Sequence, residues 1–87
     1  MPTVQINKTA YVKFVAAAAE SFTAQCRAET LWEVQFADTQ PAADSAGALV
    51  PPGLEHGVTR ANGTGHGWGK LPANAPVATA EVVVIGA

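Results

Sequence analysis

From Ser21 to Glu29 the chain alternates: Phe22, Ala24, Cys26 and Ala28 fall on one side, and Ser21, Thr23, Gln25, Arg27 and Glu29 on the other. A period of two predicts a half-buried strand. The next run repeats the signal with larger side chains, setting Trp32, Val34 and Phe36 against Glu33 and Gln35. Two such runs in a short space predict a hairpin or a bent strand pair, turning at Ala28 to Thr30. That turn contains no Gly, Pro or Asn, so one continuous bulged strand is the alternative.

Both ends of the chain also read as sheet-forming. Thr3 to Ile6 is β-prone, and Val77 to Ile85 ends in the β-branched run Val82, Val83, Val84, Ile85, which suits a strand buried on both faces or one sandwiched against a partner. Ala10 to Glu20, AYVKFVAAAAE, is ambiguous, because its alanines favour helix while Tyr11, Val12, Phe14 and Val15 favour strand. Val12 and Phe14 alternate with Lys13 and run towards the clear alternation after Ser21, so a strand is expected.

Between these runs lie turn-rich segments. Ala37 to Leu54 carries three prolines and two glycines with few large apolar side chains, and predicts a long loop over residues 38–54. Arg60 to Lys70, RANGTGHGWGK, predicts a hairpin turning at Asn62-Gly63 whose returning arm places Trp68. Leu71 to Pro76 is a further turn-rich connection. No internal repeat is evident. The chain is therefore expected to be one all-β domain over residues 1–87, a small antiparallel β-sandwich or β-barrel with long Pro/Ala/Gly loops. Residues 1–9 would form an N-terminal arm or edge strand.

Composition changes this picture in one respect. Of the 42 apolar residues among 87, 18 are alanine, leaving 24 larger side chains for a core. A chain this short is marginal alone unless it is stapled or covered. One cysteine cannot close an internal disulfide, and no Cys/His cluster has zinc-site spacing, so oligomerisation is the expected remedy. No apolar run reaches the roughly 18 residues of a membrane span, and the N-terminus lacks a signal-peptide pattern. A soluble protein that is not conventionally secreted is expected. Five Lys plus Arg, scattered singly among seven Asp plus Glu, give a net charge of -2 and no basic stripe for nucleic acid.

The candidate chemical motifs fail one by one. A phosphate loop ending at Gly69-Lys70 would need glycine at 64 and Ser or Thr at 71, where the chain has Thr64 and Leu71. The dinucleotide pattern is broken by Trp68 and by Lys70. His56 and His66 lack spacing that would bring them to Glu55, Asp38 or Asp44 as a metal set. Cys26 lies on the apolar face of its strand, where burial keeps a thiol inert. Ser21 and Ser45 have no nucleophile-elbow context. Asn7-Lys8-Thr9 and Asn62-Gly63-Thr64 match the glycosylation triplet by a pattern common by chance. No catalytic, cofactor or metal residues are assigned, and no enzyme activity is expected. Trp32, Trp68 and Tyr11 could form a sugar-stacking platform, although the phase of Trp32 with Val34 and Phe36 places it in the core; a loop platform would instead use Trp68 with Asn62 and His66.

The segment WEVQFADTQP, Trp32 to Pro41, followed by AADSAGALVPPG and later by GWGKL, resembles small all-β accessory proteins of tailed-bacteriophage and prophage virions. The matching positions are Glu33, Val34, Gln35, Ala37, Asp38, Pro41, Ala43, Asp44, Gly47, Leu49, Gly53 and Trp68, and the likeness covers about the last two-thirds of the chain. The resemblance implies capsid decoration, head-fibre, tail or baseplate roles, none of which needs a catalytic site. The expectation is a virion protein, assembled in the host bacterial cytoplasm, that decorates the major capsid shell as a homo-oligomer, with a trimer favoured. No nucleic-acid or membrane partner is expected. Trp32, Val34, Phe36 and Val82 to Ile85 would form the core, and Asp38, Pro41, Asp44, Leu49, Pro51 and Trp68 would meet neighbours. The alternatives are a tail, baseplate or fibre-attachment component, and a small carbohydrate-binding module.

Overall fold

A computed structural model describes residues 3–16, 21–51, 58–61 and 65–85. Among these residues eight strands follow one another: β1 Thr3–Asn7, β2 Val12–Val15, β3 Ser21–Cys26, β4 Trp32–Ala37, β5 Ala48–Val50, β6 Val58–Ala61, β7 His66–Lys70 and β8 Thr79–Ile85. They form two antiparallel four-stranded sheets, sheet I in the order β1-β8-β3-β6 and sheet II in the order β2-β7-β4-β5. Among the described residues there is no helix. The fold is an all-β sandwich.

The strand order has a simple origin. β1 pairs with β8, β2 with β7, β3 with β6 and β4 with β5, so the two halves of the chain run alongside each other as one long antiparallel ribbon. Successive rungs of that ribbon alternate between the sheets. The β3–β8 and β4–β7 pairings then close each sheet. This is the jelly-roll arrangement of eight strands in two packed sheets.

The core lies between the sheets. Ile6, Phe14, Phe22, Ala24, Cys26, Trp32, Val34, Ala80, Val82 and Val84 point into it, joined by Leu71 and Ala75 from the β7–β8 connection. Phe14 is its centre, meeting Phe22 edge-on at 5.8 Å and Trp32 at 5.5 Å. A register shift between Lys13 and Val15 lets both Phe14 and Val15 turn inwards. The total accessible surface is 4787 Å². That matches the roughly 4,800 Å² that a folded monomer of this mass exposes. The core is small, but the chain as a whole carries no excess surface.

The glycine-rich segment is explained by packing. Along β7 the glycines fall at every second position and face the core. A Cβ on Gly67 would lie 2.6 Å from Val15 Cγ1 and 2.9 Å from Phe14 Cζ, and one on Gly69 would lie 3.1 Å from Trp32 Cζ3. The strand can pass over the aromatic core only because these positions have no side chain.

Four sequence expectations need correction. The runs around Cys26 and Trp32 are neither a hairpin nor one bulged strand: β3 belongs to sheet I and β4 to sheet II, and residues 27–31 cross between them. Alternation reports which side faces the core, and two strands facing each other across it carry the same pattern as two neighbours. For the same reason β6 and β7 do not pair as a hairpin, since β6 joins β3 while β7 joins β2 and β4. The expected loop over 38–54 contains β5, a three-residue strand whose Leu49 pairs with Glu33. Flanking Gly47 and Pro51 mask so short a run. Finally, Phe36 and Ile85 are not fully in the core, with 43% and 44% of their surface exposed, because each sits at or near the end of its strand. The described part of the expected N-terminal arm or edge strand is an edge strand, β1 on sheet I. The expected turn at Asn62-Gly63 lies outside the described residues.

Candidate interaction surface

Alternation sends Trp32 and Val34 inwards, so Glu33 and Gln35 of β4 must face away from the core. His66, Trp68 and Lys70 of β7 share that outer face of sheet II. Register places Lys13 beside Trp68, Trp68 beside Gln35, and Lys70 beside Glu33.

This face is only partly open to solvent. After Ala37 the chain turns back across it, and residues 38–47 form a strap held by polar contacts. The Tyr11 hydroxyl donates to the Ser45 carbonyl at 2.9 Å. Gln35 Nε2 donates to Ser45 Oγ at 2.8 Å, and Gln40 Nε2 to the Tyr11 carbonyl at 2.8 Å. Trp68 Nε1 donates to the Ala37 carbonyl at 3.0 Å, anchoring the strap at its root. The Ser45 hydroxyl in turn donates to the Ala42 carbonyl at 2.6 Å. A strap of small residues, with no large apolar side chain to bury, can be fixed only in this way.

Tyr11 and Lys70 are both buried on this side of sheet II. Lys70 Nζ sits 3.2 Å from Glu33 Oε2, with the two side chains only 9% and 16% exposed. The same ammonium donates to the Leu71 carbonyl at 3.2 Å and lies 5.8 Å from the centroid of the Tyr11 ring. Opposite charge, a carbonyl acceptor and an aromatic ring together compensate the desolvation of the cation.

The residues expected to meet neighbours fall mainly on the strap and the adjoining edge. Asp38 and Asp44 are exposed on the strap and Pro41 is half-buried in it, while Leu49 and Pro51 are exposed on and just after edge strand β5. Leu49, 58% exposed, is the most open large apolar side chain described. Trp68 is half-buried, tied to Ala37 and edge-on to His66 at 6.2 Å. Trp32 is completely buried on the inner face, as its phase predicts, and Tyr11 is buried beside the strap, so neither is available to the alternative of a sugar-stacking platform. Asn62, which the carbohydrate-binding alternative sets with Trp68 and His66, lies outside the described residues.

Sequence reasoning missed Tyr11, Gln35, Gln40 and Ser45 as the strap's anchors. One signal was present. Tyr11 shares the parity of Lys13, opposite to Phe14, and an aromatic ring on the polar side of a strand needs something to cover it.

Elsewhere, an open cleft of about 300 Å³ lies between the β3–β4 and β7–β8 connections, lined by Glu29, Thr30, Leu31, Pro72, Asn74, Ala75 and Pro76. Glu29 is its one titratable side chain. Burial pushes the Cys26 thiol above its ordinary value, outweighing a backbone hydrogen bond at Ala28 that lowers it. Among the described residues no three His, Cys, Asp or Glu side chains gather as a metal set. In comparisons with known proteins, the chain matches no family model, no curated protein and no solved structure.

Proposed function

We propose that this chain is a non-enzymatic structural protein of a tailed-bacteriophage virion, a decoration subunit that seats on the outer capsid shell as an oligomer. The observation that carries this reading is where the phage-like positions fall. Glu33, Val34, Gln35 and Ala37 lie in β4, Asp38, Pro41, Ala43, Asp44 and Gly47 in the strap, Leu49 in the edge strand β5, and Trp68 in the strand that holds the strap's root. One contiguous unit of the fold thus collects almost all of the matching positions together with the most exposed apolar side chain.

The fold is in keeping with this role by analogy, since jelly rolls recur in viral capsid domains, but they recur in lectins and cupins as well. The supporting chemistry is the surface itself: small, rigidly strapped and weakly charged, suited to protein contact. Tail, baseplate or fibre attachment would use the same surface.

The test is co-sedimentation of the purified chain with virions from the strain that encodes it, followed by copy number from gel densitometry. Hundreds of copies per particle place it on the shell, and a handful place it in the tail. A chain that stays in the supernatant and is absent from virions removes the reading. Glycan-array binding that is lost in Trp68→Ala with the fold intact would replace it with a carbohydrate-binding module.

A further inference from the structure

We infer that two copies of the chain pair through β1, edge to edge and antiparallel, so that sheet I continues from one copy into the other. The inference rests on the reading above that the chain works as an oligomer, and it names the strand at which the copies meet.

Sheet I ends in β1 and β6, and sheet II in β2 and β5. An edge strand offers unpaired backbone groups to any other chain, and natural edges are guarded by charge, proline, bulges or brevity. Three of these four edges carry such a guard. β2 has Lys13 and a register shift, β5 is three residues long between Gly47 and Pro51, and β6 carries Arg60. β1 has none. Its five residues, Thr3 to Asn7, are uncharged, contain no proline and pair with β8 in unbroken register.

The side chains of β1 say what would cover it. Val4 and Ile6 both face the core, but Ile6 is completely buried while Val4 is only half-buried, packed against the core's margin where the sheet stops. A covering strand needs apolar side chains on that face and no charge to desolvate. A second β1 meets both needs. Set antiparallel about a two-fold axis at Gln5, the two strands overlap over their whole length, with Thr3 opposite Asn7 of the second copy, Val4 opposite its Ile6, and Gln5 opposite its Gln5. Opposed residues project to one face, so the Val4–Ile6 pairs join the two cores and no like charges meet within the seam. Such a contact is isologous and closes at two copies, a dimer where the resemblance favours a trimer. Five residues a side make a contact smaller than the standard interface of about 1,600 Å², so a dissociation constant above about 1 μM is expected.

The test is sedimentation velocity over a concentration series reaching well above that value, on the wild type, Gln5→Glu, Thr3→Lys and Leu49→Glu, with circular dichroism to check the fold. All three altered side chains are exposed. The wild type should dimerise. Gln5→Glu should weaken the dimer by about fivefold or more, because it opposes two carboxylates at the axis, beside the Glu81 that flanks Gln5 in each copy. Thr3→Lys should weaken it by charging the edge, and Leu49→Glu on β5 should leave it unchanged. The amides of β1 should exchange more slowly in the dimer than in the monomer. An oligomer that is indifferent to Gln5→Glu and Thr3→Lys, or whose β1 amides exchange as in the monomer, overturns this pairing and leaves the oligomeric reading standing. A wild-type monomer at every concentration overturns both.

Discussion

Tyr11 and Ser45 are joined by a hydrogen bond of 2.9 Å, from the phenol hydroxyl to the backbone carbonyl, across 34 residues of sequence. It fixes the strap to the entry of β2, on the far side of sheet II from the strand that the strap becomes. Gly47 completes the joint: a Cβ there would lie 2.9 Å from Tyr11 Oη and 2.9 Å from the Val34 carbonyl oxygen.

Tyr11→Phe keeps the buried ring and removes one hydrogen bond, so denaturant unfolding should show a loss of about 1 kcal/mol. Amide exchange at Ser45, whose N–H donates to the Ala42 carbonyl at 3.0 Å, should quicken. Gly47→Ala should cost more than Tyr11→Phe, because the Val34 carbonyl is backbone and cannot step aside. Unchanged midpoints and exchange in both variants would mean that the strap is not held at this joint.

The glycines of β7 make a second prediction. Gly67→Ala and Gly69→Ala should each lower stability by about 1–3 kcal/mol through overpacking, with Gly67 the more sensitive because its contacts with Val15 and Phe14 are tighter. Val15→Ala introduced together with Gly67→Ala should return part of the loss by vacating the space. Thermal melts of the two single variants and the double variant decide this. Additive losses would show that the two positions do not share that space.

The fold was legible where a side chain's surroundings were set by its own strand. Phe22, Ala24, Cys26, Trp32 and Val34 face the core as their alternation required. What alternation could not tell was which strand lay beside which, because β3 and β4 face one core from opposite sheets. GHGWG was legible as an arm that places Trp68, but its partners were not: β7 pairs with β2 and β4, and its missing side chains answer to Phe14 and Trp32. The proposed contact residues on the strap were legible as a turn-rich stretch, but its course was not. Tyr11, Gln35 and Gln40 anchor it over long sequence separations that no local pattern records.

The buried ion pair should behave asymmetrically. Lys70→Met leaves the Glu33 carboxylate desolvated and without its cation, a loss of about 3 kcal/mol. Glu33→Leu does the same to the Lys70 ammonium, though the Leu71 carbonyl and the Tyr11 ring soften that loss. The double variant Lys70→Met/Glu33→Leu removes both charges and should lie closer to wild type than either single variant. A double-mutant cycle from chemical denaturation measures the coupling, and purely additive losses would show that the pair is not coupled.

Cys26 sets the alkaline behaviour. Burial raises its folded thiol above the ordinary value of 9.0. In the unfolded chain the thiol ionises first as pH rises past that value, so the unfolded state then binds fewer protons than the native one and stability falls. The stabilising contribution is fully present below pH 9.0 and declines above it, towards the folded value. Cys26→Ala should lose stability at neutral pH from the smaller core side chain, yet show a shallower decline above pH 9.0 than the wild type. In the native protein a thiol reagent at neutral pH should react slowly, and rapidly once denaturant is added. Parallel alkaline limbs for the two proteins, or fast labelling of the native chain, would show that the thiol is not shielded in the core.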